Sequence, residues 1–196
     1  GIDGTYAIEV ALDGGIANNI SFISSGYTLG AATPQTITVS NVSSSITLGA
    51  GTTATVGNNV TLVTPSASQN SAITGAGTLI IESGGTVRNG GTASSNVLNI
   101  HTATVRVMPG GSLATIFYPG NGNAIFVNGN LDVLGGSVIG EGTIGIGQSN
   151  ANPAGVVTIS SGLLTAVSSN GIRFGSNSGT TPGGTVNLDG GVIRAD

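Results

Sequence analysis

Short triplets of the form apolar, any residue, apolar, each followed within a few positions by glycine, recur along the chain at a nearly fixed interval. They begin at Ile20, Ile46, Leu79, Val105, Leu131, Val157 and Val186. From Leu79 to Val157 three successive intervals are equal, whereas the interval from Ile46 to Leu79 is distinctly longer. The constant interval of about 26 residues indicates a repeat architecture.

Each triplet predicts a short strand that ends in a turn. Alternate residues of a strand face opposite sides, so Leu79 and Ile81 can point inward while Ile80 points outward. The glycines that follow, Gly84 and Gly85 in this case, permit backbone conformations that a Cβ would forbid. Further alternating runs follow each turn, so one coil of the repeat holds two or three short strands.

Stacking such coils in parallel, about 4.8 Å apart, buries the apolar faces that a single coil leaves exposed. We therefore predict an all-β parallel β-helix, or β-solenoid, of about seven to eight coils, right-handed and essentially free of α-helix. The anchors from Ile46 to Val186 should form one continuous buried file. An antiparallel sandwich is the alternative, although it does not require a constant interval.

Both ends of the chain carry a similar motif, which indicates how the chain continues or assembles. Residues 10–16 read V-A-L-D-G-G-I and residues 186–192 read V-N-L-D-G-G-V. We treat residues 1–196 as a single domain that is either a segment of a longer repeat protein or a unit that stacks end to end with copies of itself.

Composition narrows the classes of partner. Glycine occupies 35 of 196 positions and charged residues make up 6%, against about 25% in ordinary domains. The net charge is −4 with no lysine and four arginines, which argues against nucleic acid as a partner. No run approaches the length of a membrane-spanning helix. A surface rich in Thr, Asn, Ser and Gly favours an extracellular location.

The charged residues do not predict catalysis. Polysaccharide-cleaving β-helices need carboxylates clustered on adjacent coils, whereas the acidic residues here are spread over the whole chain. Arg106 and Asp132 share one position of the repeat, and we interpret them as a surface ion pair rather than as part of a cleavage site at Asp132.

Two further candidates for chemistry are rejected. His101 is the sole histidine in a chain without cysteine, so a turn or surface residue is favoured over a metal ligand or a base. The string from Gly140 to Gly145 matches a dinucleotide fingerprint by letter, but Ile144 and Ile146 continue it as a strand rather than a helix. The sequence therefore predicts no catalytic residue, no cofactor and no metal site.

Two patterns suggest binding surfaces. Thr-x-Thr pairs at 36–38, 53–55 and 102–104 resemble ice-binding arrays, but the outward position after each anchor is not regularly threonine. Phe117 and Tyr118 are a candidate carbohydrate contact, because aromatic faces stack on sugar rings. The alternative is that Phe117 packs inside and Tyr118 lies at a corner.

One segment carries a family resemblance. Residues 183–195, G-G-T-V-N-L-D-G-G-V-I-R-A, with weaker copies at 155–166 and 77–87, resemble the autotransporter-associated β-strand repeat of bacterial surface and secreted proteins. That resemblance implies a β-helical passenger stalk without catalytic residues.

These observations predict a non-enzymatic extracellular structural module, a rod or stalk at the bacterial cell surface. Its expected partner is itself, through end-to-end stacking or flanking repeats. The alternatives are an adhesin or glycan-binding β-helix and, third, a polysaccharide-active enzyme.

Overall fold

Short parallel strands build the whole described part of the chain, which contains no helix. The computed structural model describes residues 6–9, 15–41, 45–65, 72–90, 97–116, 123–147, 154–167, 171–175 and 183–195. Its strands are β1 (Tyr6–Glu9), β2 (Gly15–Ala17), β3 (Ile20–Phe22), β4 (Tyr27–Gly30), β5 (Gln35–Val39), β6 (Ile46–Leu48), β7 (Thr53–Val56), β8 (Val60–Thr64), β9 (Ala72–Gly75), β10 (Thr78–Ile81), β11 (Thr86–Asn89), β12 (Leu98–Ile100), β13 (Thr104–Val107), β14 (Ser112–Ala114), β15 (Asn123–Val127), β16 (Asn130–Gly140), β17 (Thr143–Ile146), β18 (Val156–Ala166), β19 (Ile172–Phe174), β20 (Thr185–Leu188) and β21 (Val192–Ala195).

The strands stack into three parallel faces. The first face contains β1, β4, β7, β10, β13, the first halves of β16 and β18, and β20. The second contains β2, β5, β8, β11, β14, the second halves of β16 and β18, and β21. The third contains β3, β6, β9, β12, β15, β17 and β19. The predicted all-β parallel β-solenoid is confirmed, and the described strands alone cover about half of the 196 residues.

The core follows from strand alternation. In β10, Leu79 and Ile81 are fully buried, whereas Thr78 and Ile80 are half-buried on the outside. The inward residues of all three faces form one apolar cluster that runs through the stack. Each coil contributes side chains from three directions, so the core is continuous along the axis.

The continuous file predicted from the anchors is wrong at its start. The part from Leu79 through Val105, Leu131 and Val157 to Val186 is in register on the first face, as predicted. Ile20 and Ile46, however, lie on the third face, where Ile46 pairs with Ile73. The first-face file continues instead through two residues of earlier coils, Ala54 and Tyr27.

The long interval between Ile46 and Leu79 explains this error. The stretch from Ile46 to Ile73 is one complete coil, because the two residues are paired on the third face. A short further step along the chain leads from Ile73 to Leu79 on the next face. The interval therefore combines a full coil with a step between faces. The anchors mark two faces, because an apolar triplet is suitable for either of them.

The number of turns that are stacked on both sides is lower than the seven to eight coils predicted. The solenoid has about five turns, namely those whose strands on all three faces pair with the coil before and the coil after. Among the described strands, the first turn has a neighbour on one side only. There, β19, β20 and β21 each have a single partner strand. The anchors also counted these terminal turns.

From β7 onward, each corner between the first and second faces contains a residue with a left-handed backbone. Glycine with positive φ occupies it in successive coils, for example Gly84 at 75° and Gly110 at 76°. Asn59, at φ 59°, takes the corresponding place in an earlier coil, and its Nδ2 donates to the carbonyl oxygens of Ala31 and Ala32 at 3.1 and 3.2 Å. Asparagine tolerates this conformation better than other residues with a Cβ.

Candidate functional site

The charged pair on the first face is an inter-coil contact. Arg106 in β13 and Asp132 in β16 are opposite each other, and Nε donates to Oδ2 at 3.2 Å. Their side chains are 47% and 25% exposed. This contact is the surface ion pair that the sequence predicted. Exposed pairs of this kind contribute about 0 to 1 kcal/mol to stability.

The described carboxylates do not come together at one site. Glu82 follows β10, Glu141 follows β16 and Asp189 follows β20, whereas Asp132 lies within a strand. Within the described ranges, no group of three or more His, Cys, Asp or Glu residues can hold a metal ion. The arrangement brings no second carboxylate of this set opposite Asp132, whose neighbours in register are Arg106 and Thr158.

The dinucleotide fingerprint lies on a strand, as the sequence indicated. Gly140 ends β16 and Gly145 lies inside β17, with Ile144 and Ile146 buried. The fingerprint needs a helix N-terminus for its phosphates, and these residues continue into a strand instead. Phe117 and Tyr118, the predicted carbohydrate contact, lie outside the described residues.

A shallow groove runs along the corner between the first and second faces. Its volume is about 360 Å³, and it is lined by Gly110, Gly111, Ser112, Gly135, Gly136, Ser137, Gly162 and Leu163. The lining offers hydroxyl and backbone groups and no ionisable side chain. It can exchange hydrogen bonds with a neutral molecule through Ser112, Ser137 and backbone groups.

The groove is one part of a longer row of hydroxyls that was not among the predictions from the sequence. On the second face, the outward positions in register are Thr36, Thr61, Thr86, Ser112 and Ser137, here called the hydroxyl row. The three Thr-x-Thr pairs, by contrast, do not share a face, because 36–38 lies on the second face and 53–55 on the first. The nearly constant spacing of these hydroxyl residues in the sequence was the signal for the row.

A second polar arrangement follows the third face. Ser21, Thr47, Thr74, His101 and Asn128 occupy equivalent outward positions in successive coils, and we call them the polar column. His101 follows Ile100, which pairs with Ile73, so His101 lies level with Thr74. The last four residues are evenly spaced in the sequence, which was the signal for the column.

Exposure varies along the column, because Ser21 is exposed and Asn128 is buried. Thr47, Thr74 and His101 are of intermediate exposure. The Thr74 hydroxyl donates to Oγ1 of Thr47 at 3.5 Å, and the backbone N–H of His101 donates to the Ile73 carbonyl at 2.9 Å. His101 is thus a surface residue at a strand end, as predicted, although it belongs to an aligned set of polar side chains.

No protein-family model matches the sequence, and no curated protein or solved structure is detectably similar to it. In the part of the chain that the structure describes, no helix has the length and apolar character needed to span a membrane.

Proposed function

We propose that this chain is a non-enzymatic structural module, a β-solenoid rod that acts outside the cell in surface display or end-to-end assembly. The observation that carries the proposal is that surface side chains on the first face form hydrogen bonds with side chains of the next coil. Besides Arg106 with Asp132, Nδ2 of Asn130 donates to Oγ1 of Thr104 at 3.3 Å. Side chains that link coil to coil stabilise a rod.

The segment that carries the family resemblance supports a stalk at the bacterial surface. Residues 183–195 form strand β20, a corner with Gly191 at φ 74°, and strand β21. This strand, corner and strand unit is the form that a β-helical passenger repeat would take. The charge-poor composition without lysine supports the extracellular location.

Location is tested on intact cells of the source organism. An antibody against the purified chain should label unlysed cells or detect the protein in the medium. Labelling that requires lysis would overturn the extracellular role.

End-to-end assembly is tested on the purified 196-residue chain by light scattering and electron microscopy. Unbranched fibres that lengthen with protein concentration are expected for self-stacking. If the chain is monomeric at all concentrations, it does not assemble end to end by itself, and surface display is the remaining structural role.

The enzymatic alternative depends on Asp132. If the rod cleaved polysaccharide, Asp132→Ala would abolish release of reducing ends while leaving the fold intact. Our proposal expects no such release from the parent chain. An adhesin on the same rod is the second candidate function, and the polar column is the observation that favours it.

A further inference from the structure

The polar column presents a line of hydrogen-bonding groups along the axis of the rod. Thr47, Thr74 and His101 come from three successive coils and lie in register on the outside of the third face. Coils repeat about every 4.8 Å. A ligand that follows this line must therefore offer polar groups at a similar repeat.

A buried amide pair fixes the end of the column. Asn128 is 1% exposed, and its Nδ2 donates to Oδ1 of Asn99 at 3.1 Å. Buried amides keep the orientation that satisfies their hydrogen bonds. Asn99 and Asn128 are thus positioning residues that hold the strand ends beside His101, whereas Thr47, Thr74 and His101 can reach a ligand.

An aromatic ring lies next to this pair on the same face. Phe126 points outward from β15 and is half-buried. In register, Asn99 is its neighbour in the preceding coil and Gly145 its neighbour in the following one. Gly145 has no side chain to stack on the ring. An aromatic side chain beside hydroxyl, imidazole and amide groups is the combination that recognises sugar rings.

We propose that the third face binds a neutral, linear glycan that lies along the rod axis, with Thr47, Thr74 and His101 as hydrogen-bonding contacts and Phe126 as the stacking contact. The coil repeat is close to the length of one sugar residue in an extended chain, so successive sugars meet successive coils. The ligand is neutral because the column contains no arginine and the chain carries a net charge of −4. This inference adds a ligand to the rod and goes beyond its structural role.

Calorimetry on the full chain tests the proposal with cellohexaose and mannohexaose as neutral probes and hexagalacturonate as the acidic one. At least one neutral hexasaccharide should bind, more tightly than the trisaccharide of the same linkage and more tightly than hexagalacturonate. Thr74→Val and His101→Ala should each weaken binding about fivefold, the value of one hydrogen bond. Thr74→Ser keeps the hydroxyl and should bind as the parent does.

Thr55→Val is the matched control, because Thr55 is a half-buried outward threonine on the first face, between Thr47 and Thr74 along the chain. It should leave affinity unchanged. Circular dichroism confirms that each variant keeps its strands, which separates loss of binding from failure of the rod itself. The proposal is overturned if the folded parent binds neither neutral hexasaccharide, if Thr55→Val weakens binding as much as Thr74→Val, or if hexagalacturonate binds most tightly.

Discussion

Single glycines at the corners differ in the reason for their presence. At Gly111 a Cβ would overlap the carbonyl oxygen of Ile81 in the preceding coil, although φ there is not positive. At Gly51 nothing lies within 4 Å of a Cβ, but φ is +69°. At Gly30 neither constraint applies. Substitutions at the three positions therefore test the close approach of coils and the backbone conformation separately.

Gly111→Ala should lower the free energy of unfolding by about 1 to 3 kcal/mol, because two stacked coils must move apart. Gly51→Ala should cost about 1 kcal/mol through its left-handed backbone alone. Gly30→Ala is the control and should be neutral or slightly stabilising. Denaturant unfolding of the three variants measures their relative free energies of unfolding. Equal effects at positions 30 and 111 would contradict the close approach of coils at Gly111.

At the scale of the element, alternation along a strand decides which substitutions are tolerated. Val107 of β13 is fully buried between Ile81 and Val133 of the neighbouring coils. Ile80 of β10 faces outward and lies level with Arg106. Neighbouring positions on paired strands therefore have opposite requirements.

Val107→Asp should destabilise the chain by about 4 kcal/mol, because it buries a carboxylate without a partner. Ile80→Asp should change stability by less than about 1 kcal/mol, since its carboxylate meets solvent and Arg106. Thermal unfolding compares the two. A Val107→Asp variant that melts like the parent would show that this register is incorrect.

Substitutions of Asn59 test which of its interactions stabilise a corner between two strands. Asn59→Gly loses the hydrogen bonds to Ala31 and Ala32 but still adopts the left-handed backbone easily. Asn59→Ala loses the same hydrogen bonds and also disfavours the left-handed backbone. We expect the alanine variant to be the less stable by about 1 kcal/mol. Equal stability of the two, measured by urea unfolding, would mean that the φ of residue 59 has no influence.

For the whole molecule, the repeat implies that a complete coil is dispensable. Residues 104–129 form β13, β14 and β15, and Thr104 pairs with Asn130 in register. Removing this segment places Leu131 where Val105 was, on top of Leu79. Each coil interacts mainly with its neighbours, so the remaining stack can close.

The variant lacking 104–129 should therefore fold with a β-type circular dichroism spectrum and unfold cooperatively at a somewhat lower denaturant concentration. Removal of only 104–116 is the control, because it brings a third-face strand to the first face and should prevent folding. If both deletions fold equally well, the three-face register does not govern the structure.

Much of this architecture is determined by sequence alone. The constant interval from Leu79 to Val157, the alternation within each triplet and the glycines after it predicted a parallel solenoid with an apolar core. These signals are local, since every coil must repeat the same inward pattern to stack on its neighbour. The pairing of Arg106 with Asp132 followed from the same interval.

Only the tertiary structure decided which face each triplet occupies. Ile46 and Leu79 carry the same apolar pattern, yet they lie on different faces, because all three faces need alternating inward residues. The assignment depends on corner and loop lengths summed around a coil, which become visible once the coil closes. For that reason Thr74, His101 and Asn128, each separated from the next by a full coil of sequence, are neighbours only in the folded stack.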